Sequence, residues 1–399
     1  MRRRNTLTAL CLLAALLVGF GLMLTAFFGG AGALRSELGL LRRDPSRLGA
    51  LLEGGAEEAA NKDLDRGRQF IQLYGLVQRL TGRRVVEDVS QSANVAKLDG
   101  GALNFAYIQA EPADCTDNAL AAGELSRALA AAGVPSLFLL APQKIARGTD
   151  PLPAGVRDYG NENADGFLAA LEGAGGAALD LRPLFEQSGD YGDWFFRTDH
   201  HWRPEAAFYA WGYLAETLEA DYALDLSGEL ADPALWDTEV LEDFFLGSQG
   251  KRVGSLYAGV DDFTVFTPKF DTDLTYTCPF YAIDRSGRFN ESVCFPERVA
   301  ERDWFGGNPY TYYAGGDYPL ATVVNHKNPD GPKILLIRDS FACALTPFLA
   351  LSCGELTTVD LRYLKEDVAD VVSRVEPDLV LTLYTAGTVS NADMFQYSK

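Results

Sequence analysis

Residues 197–203 read RTDHHWR, and two of the three histidines in the 399-residue chain stand side by side here, directly after an acid. A histidine can serve as a general base, and a neighbouring carboxylate can fix its tautomer. In an extended or turn segment residues i and i+2 project to one side. The spacing therefore pairs Asp199 with His201 and leaves His200 facing the other way as a supporting group, with Trp202 as a buttress. Metal binding needs three or four converging ligands. His200 and His201 diverge in such a segment, and the third histidine, His326, lies in a separate Asn/Asp/Gly-rich loop. Arg197 and Arg203 flank the pair and oppose a bound cation while suiting an anionic or oxygen-rich substrate. No metal and no cofactor is expected.

A base of this kind needs a nucleophile, and KILLIRDSF (333–341) offers one. A continuous apolar run ends in Arg338, Asp339, Ser340 and Phe341, with helix-forming residues at once beyond. Ser340 would then stand on a strand-to-helix turn, its hydroxyl exposed near helix N-terminal amides that can hold an oxyanion. The same pattern also describes a plain helix cap, since Asp and Ser are both favoured there.

The elements that must position these residues alternate. ALAAGELSRALAAA (119–132) reads as a helix stopped by Gly133, VPSLFLLAPQK (134–144) as a buried strand, FLAALEGA (167–174) as a helix and AALDLRPLF (177–185) as a strand. PEAAFYAWGYLAETLEA (204–220) is a helix with Pro204 in its first turn. The runs 333–341, 355–364 and 378–385 are the unbroken apolar stretches of parallel strands covered on both faces, with helices at 342–351 and 365–375 between them. In such sheets sites form at the carboxyl ends of the strands. Residues 226–330, rich in Gly, Asp, Phe and Tyr, break the rhythm and read as a β or irregular insertion packed beside the sheet. FIQLYGLVQRLTGRR (70–84) carries an apolar stripe at helical spacing and reads as a packing helix.

The chain opens with Arg2, Arg3 and Arg4, followed by 22 uncharged residues at 7–28. That length suits a transmembrane helix of ~20 residues better than a signal-peptide core. The arginines then stay cytoplasmic and the rest lies outside. The expected organisation is a cytoplasmic stub and anchor at 1–30, a stalk with packing helices at 31–100, and an α/β domain at 101–399. The localisation is a single-pass cell-membrane protein with its main domain extracytoplasmic. A formal net charge of −20 argues against nucleic acid as a partner. Outside the anchor lie Cys115, Cys278, Cys294, Cys343 and Cys353. Cys278 and Cys294 flank a candidate hairpin, where an outside location permits a disulfide, and an odd count leaves at least one thiol unpaired unless chains cross-link.

Asp199-His200-His201-Trp202, followed much later by Ile337-Arg338-Asp339-Ser340-Phe341, resembles the DHHW family, which belongs with the SGNH-hydrolase-like proteins alongside the alginate O-acetylation proteins. FIQLYG (70–75), GRRVVEDV (82–89), APQKI (141–145) and NENAD (161–165) are similar to family stretches as well, so the resemblance covers most of the chain beyond the anchor. It implies a flavodoxin-like α/β/α sandwich and a triad with Ser340 as nucleophile, His201 as base and Asp199 as orienting acid. The chain departs from the family's Gly-Asp-Ser block in having Arg338 for the glycine. By analogy, Gly387 and Asn391, after the last strand, would supply oxyanion donors.

The resemblance points to an extracytoplasmic O-acyltransferase, O-acetyl by analogy, acting on cell-envelope or exported polysaccharide. A multi-spanning membrane acyltransferase partner would hand the acyl group across. A carbohydrate acyl esterase would use the same three residues. A non-catalytic scaffold of an export complex is the third reading, and Arg338 in place of glycine is its best support.

Overall fold

Thirteen strands organise the described residues, which in this computed structural model are 69–106 and 110–399. The expected anchor at 1–30 and the stalk at 31–68 lie outside them. Among the described residues no helix is long and apolar enough to cross a membrane. Helix α1 (Gln69–Leu80) belongs to a unit ending at Thr81 and is described by itself; Gly82 onward forms a second unit.

That second unit opens with a three-stranded antiparallel sheet, β1 (Val85–Val86), β2 (Val95–Lys97) and β3 (Leu103–Phe105). Helix α2 (Thr116–Ala131) precedes β4 (Ser136–Ala141), and α3 (Gly160–Gly173) precedes β5 (Ala178–Asp180). The predicted strand over 177–185 is corrected here. It ends at Asp180 because Pro183 cannot donate to a sheet ladder and instead opens a short helix, α4 (Arg182–Glu186). Helix α5 (Pro204–Tyr222) follows the DHHW segment, with proline in its first turn and Ala223 in the left-handed conformation at its end.

Residues 226–330 do two different things. Strands β6 (Trp236–Phe245) and β7 (Asp261–Pro268) form a separate hairpin, with α6 (Ser248–Val253) between them. Strands β8 (Leu274–Cys278), β9 (Ile283–Gly287) and β10 (Leu320–Asn325) join the main sheet, so the expectation that the whole insertion packs beside it is corrected. The last third supplies β11 (Lys333–Arg338), α7 (Ala342–Ser352), β12 (Glu355–Val359), α8 (Val368–Val375) and β13 (Leu379–Thr385).

The eight-stranded sheet runs β5-β4-β13-β11-β12-β10-β8-β9. The first five strands are parallel, and β10, β8 and β9 are each added antiparallel to the strand before, so the sheet is mixed where the sequence predicts parallel strands only. Alternate strand residues feed two cores. Leu139, Leu336 and Leu381 face α5 and α7; Leu140, Ile337 and Val380 face α2, α3 and α8. The result is the expected three-layer arrangement, with helices on both faces of the sheet. A small third core joins Val86, Val95 and Leu103 of the first sheet to Leu246 and Val253 around α6.

The cysteines correct another expectation. Cys278 and Cys294 are both buried free thiols, as are Cys115, Cys343 and Cys353.

Candidate active site

Ser340 lies just past the carboxyl end of β11, in the centre of the sheet, with α7 starting two residues later. Asp339 makes this turn rigid. Its buried carboxylate accepts from the amides of Phe341 (3.0 Å) and Thr385 (2.8 Å) and from the Thr388 hydroxyl (2.8 Å). It thereby ties the turn to the loop after β13. Burial raises the Asp339 pKa even against these hydrogen bonds.

The DHHW segment is a tight loop closed by a bridge between Phe195 and Trp202. Asp199 Oδ1 accepts from the His201 amide (3.1 Å) and sits 2.5 Å from His201 Nδ1, while His201 Nε2 lies 2.8 Å from Ser340 Oγ. Asp199, His201 and Ser340 thus form one continuous hydrogen-bonded chain. Asp199 Oδ2 accepts from the Ser248 amide at 2.6 Å. Burial opposes the Asp199 charge, but the two imidazoles and these hydrogen bonds outweigh it and hold the carboxyl well below the usual range. Among the described residues the Ser340 amide has no protein acceptor, whereas those of Asp339, Phe341 and Ala342 are all engaged.

Other predicted residues occupy supporting positions. Trp202 is fully buried and donates through Nε1 to the Phe341 carbonyl (2.9 Å), locking the loop onto the turn at Ser340. His200 does not face away from His201: the two rings lie 3.9 Å apart, and His200 Nδ1 meets Ser248 Oγ at 3.0 Å. Partial burial, helped by the neighbouring imidazole, pushes the His200 pKa down, although the side chain stays 40% exposed. The sequence argument that the histidines diverge therefore fails, because the loop turns instead of running extended. The donor atoms of Asp199, His200 and His201 in fact lie within 4.8 Å of one another. A cation there would have to displace Asp199 or Ser340 from His201.

Arg197 and Arg338 are not brought to the reactive atoms. The Arg197 side chain is exposed, and its backbone binds Asp261 and Leu103 instead. Arg338 is buried and donates to Asp317 Oδ1 (2.8 Å) and the Gly316 carbonyl (2.6 Å), fastening the neighbouring loop. Asn391 is exposed and caps the last helical turn by accepting from the Asp393 amide. Arg203 reaches Glu205 at 3.3 Å.

Several partners escaped the sequence reading. Tyr310 stacks on His201 with ring centroids 4.0 Å apart and donates to the Phe341 carbonyl at 2.9 Å. Asp261, at the start of β7, accepts from the Arg197 amide, the Thr198 amide and the Thr198 hydroxyl. Buried Lys144 donates to the carbonyls of Leu103 and Asp199 and to Gln249 Oε1 (3.1 Å). The only signal for Lys144 was its place in APQKI at the end of a strand.

Two predictions arise from these anchors. A Cβ on Gly247 would lie 2.2 Å from Asp199 Cβ and 2.6 Å from its Cα. Gly247→Ala should therefore cost about 1–3 kcal/mol of overpacking and push the Asp199 loop away from Ser340. Thermal melts and ester turnover measured together check this. Lys144 supplies the second. Burial pushes its ammonium down to about 8, although Asp199 and Asp261 pull the other way. Its unfolded value is about 10.4, so between the two the unfolded chain binds more protons. The Lys144 contribution to stability therefore rises with pH across that window, by up to about 3 kcal/mol. Lys144→Met should remove this rise, read as the difference between the two proteins' melting curves against pH.

Comparisons with known proteins place this geometry. Residues 104–232 match the family described as "SGNH hydrolase-like domain, acetyltransferase AlgX". This segment is thus similar to an SGNH-hydrolase-like domain. More narrowly, residues 186–359, which hold the whole hydrogen-bonded chain, match the family described as "DHHW protein", so the sequence resemblance holds. No curated protein sequence matches. Among solved structures, Bacillus cereus PatB1 bearing a sulfonyl adduct is similar at 22% identity and TM-score 0.61, over 79% of this chain and 99% of that one. A DHHW family protein from Eubacterium siraeum is similar at 20% identity and TM-score 0.59, over 79% and 97%. At these identities the likeness shows the fold.

Proposed function

We propose that this chain is an extracytoplasmic O-acetyltransferase acting on a cell-envelope or exported polysaccharide, with Ser340, His201 and Asp199 as its catalytic triad. The observation that carries the reading is the 2.8 Å approach of Ser340 Oγ to His201 Nε2, with Asp199 on the opposite ring nitrogen. The family match to an acetyltransferase domain supports the reaction class. The uncharged stretch at 7–28 supports an anchor and an outside location.

With Nδ1–H directed at Asp199, His201 Nε2 is free to accept the Ser340 proton. Ser340 Oγ attacks the acyl carbonyl carbon of the donor ester while His201 takes that proton. The oxyanion forms beside the unengaged Ser340 amide. His201 then returns the proton to the departing donor oxygen, leaving acetyl-Ser340. A sugar hydroxyl enters, His201 takes its proton, and the sugar oxygen attacks the acetyl carbon. The new ester leaves and Ser340 recovers its proton. Acetyl-CoA is cytoplasmic, so a multi-spanning membrane acyltransferase would hand the acetyl group to this chain. Water in place of the sugar would make the same triad an esterase. Arg338 no longer favours a scaffold role, since its side chain is committed to Asp317 and Gly316.

The test is intact-mass analysis of the full chain in detergent after exposure to p-nitrophenyl acetate, with and without polysaccharide. One acetyl group on Ser340 that moves to added polysaccharide supports transfer. Release only as acetate supports the esterase, and no adduct at all overturns both.

A further inference from the structure

The register of the main sheet carries more than the triad. Leu320 pairs with Val359, and Cys278 with Ile283, so the β8–β9 turn, the start of β10 and the loop after β12 all sit at the carboxyl edge that holds Ser340. The β8–β9 turn is Pro279-Phe280-Tyr281-Ala282. Phe280 is 67% exposed and Tyr281 53%, unusual for large rings on so acidic a surface. Tyr363, in the loop after β12, is 43% exposed. These rings are not loose. Phe280 and Tyr281 meet at 5.0 Å, and Tyr281 meets Tyr318 at 5.1 Å. The turn is fixed by Pro279 and by Ala282 at φ 53, a left-handed conformation that costs a non-glycine residue about 1–2 kcal/mol. Strain kept in a surface turn that presents aromatic rings fits a recognition role.

We infer that this aromatic shelf is the track on which the polysaccharide acceptor lies as it approaches Ser340; the inference rests on the function proposed above. The β11-to-β8 span crosses three strand spacings, ~14 Å, the reach of several sugar rings. The shelf is joined to the turn at Ser340 through protein. Arg338 beside Ser340 binds Asp317, and the next residue, Tyr318, packs on Tyr281. A cavity of about 610 Å³ opens along the shelf, lined by Pro279, Phe280, Pro319, Leu320, Tyr363 and Leu364. Aromatic rings with a polar tip suit a ligand that is apolar on its ring faces and hydroxylated at its edges. A lipid surface fits less well. Lys365, Glu366 and Arg374 line the same cavity, with Glu366 paired to Arg374 at 2.8 Å, so the rings are edged by charged groups instead of a continuous apolar face. The antiparallel strands of the insertion would then extend the binding edge of the enzyme.

The test separates binding from chemistry. In a Ser340→Ala background the full chain in detergent is run by affinity electrophoresis through gels holding base-deacetylated cell-envelope polysaccharide. We expect retardation, and its loss when Phe280, Tyr281 and Tyr363 are replaced by Ala. With Ser340 present, the same triple variant keeps p-nitrophenyl acetate hydrolysis and transfer to short fragments, while KM for long fragments rises ten-fold or more. Equal retardation of parent and triple variant, or none in either, overturns the track whatever the state of the chemistry. Absence of acetyl-Ser340 with retardation intact overturns the reaction alone. A Phe280→Trp variant in phospholipid vesicles should change emission with polysaccharide; quenching by brominated lipid instead would assign the shelf to the membrane and overturn the inference.

Discussion

Ser340→Ala should abolish acetyl-enzyme formation and lower ester turnover by about 10⁴–10⁶-fold, as loss of a triad nucleophile does elsewhere. The fold should survive. Ser340 is half-buried and its hydroxyl meets His201, whereas the turn itself is held by Asp339 through Phe341, Thr385 and Thr388. The expected result is therefore an unchanged melting temperature beside a silent enzyme. Single-turnover mass analysis reads the first effect and calorimetry the second. If turnover persisted, the hydroxyl would have to be a helix-cap ornament and the proposed mechanism would fall.

Asp199→Asn is expected to lower turnover by about 10⁴-fold through the tautomer of His201. The carboxylate now accepts from His201 Nδ1 at 2.5 Å, which leaves Nε2 bare toward Ser340. An amide NH₂ at that position would donate to Nδ1 and put the proton on Nε2, facing the nucleophile. The loss should appear in kcat with little change in KM, because Asp199 is buried beneath the histidine. A pH series tells this from simple misfolding: the residual activity should rise with hydroxide, as a reaction without a working base does. Asp199 also accepts from the Ser248 amide at 2.6 Å, so a modest drop in stability should accompany the kinetic effect.

The hydrogen-bonded chain was legible because each half is local. Asp199 and His201 are two residues apart, and Ser340 ends an apolar run that could only be a buried strand. Their meeting across 139 residues was an expectation from strand ends and family resemblance. The supporting groups were not legible. Lys144, Ser248, Asp261 and Tyr310 come from four separate segments, and nothing in their neighbours marks them as facing one loop. The run 355–364 overran its strand because Leu361 and Leu364 are apolar; they turn away after Asp360 to cover the core under α8. Strands β8 and β10 alternate in burial instead of being wholly covered, so their pattern could not tell a separate sheet from an extension of the main one. Asn391 caps the last helical turn through its Oδ1, a use that a polar loop residue does not announce in sequence.

The acid–base loop and the nucleophile rest on different foundations. Ser340 stands on the sheet, but Thr198 and Asp199 hang from Asp261, Gly247 and Ser248, which bound a short stretch between β6 and β7. That stretch is tethered at both ends to Thr198, and at its start to Asp199 as well. Its length is consequently a calibrated quantity: a one-residue insertion or deletion between 248 and 260 would shift the histidine off the serine while touching neither. In a sequence survey of such chains, a length change there would mark a silenced copy as surely as loss of the serine itself.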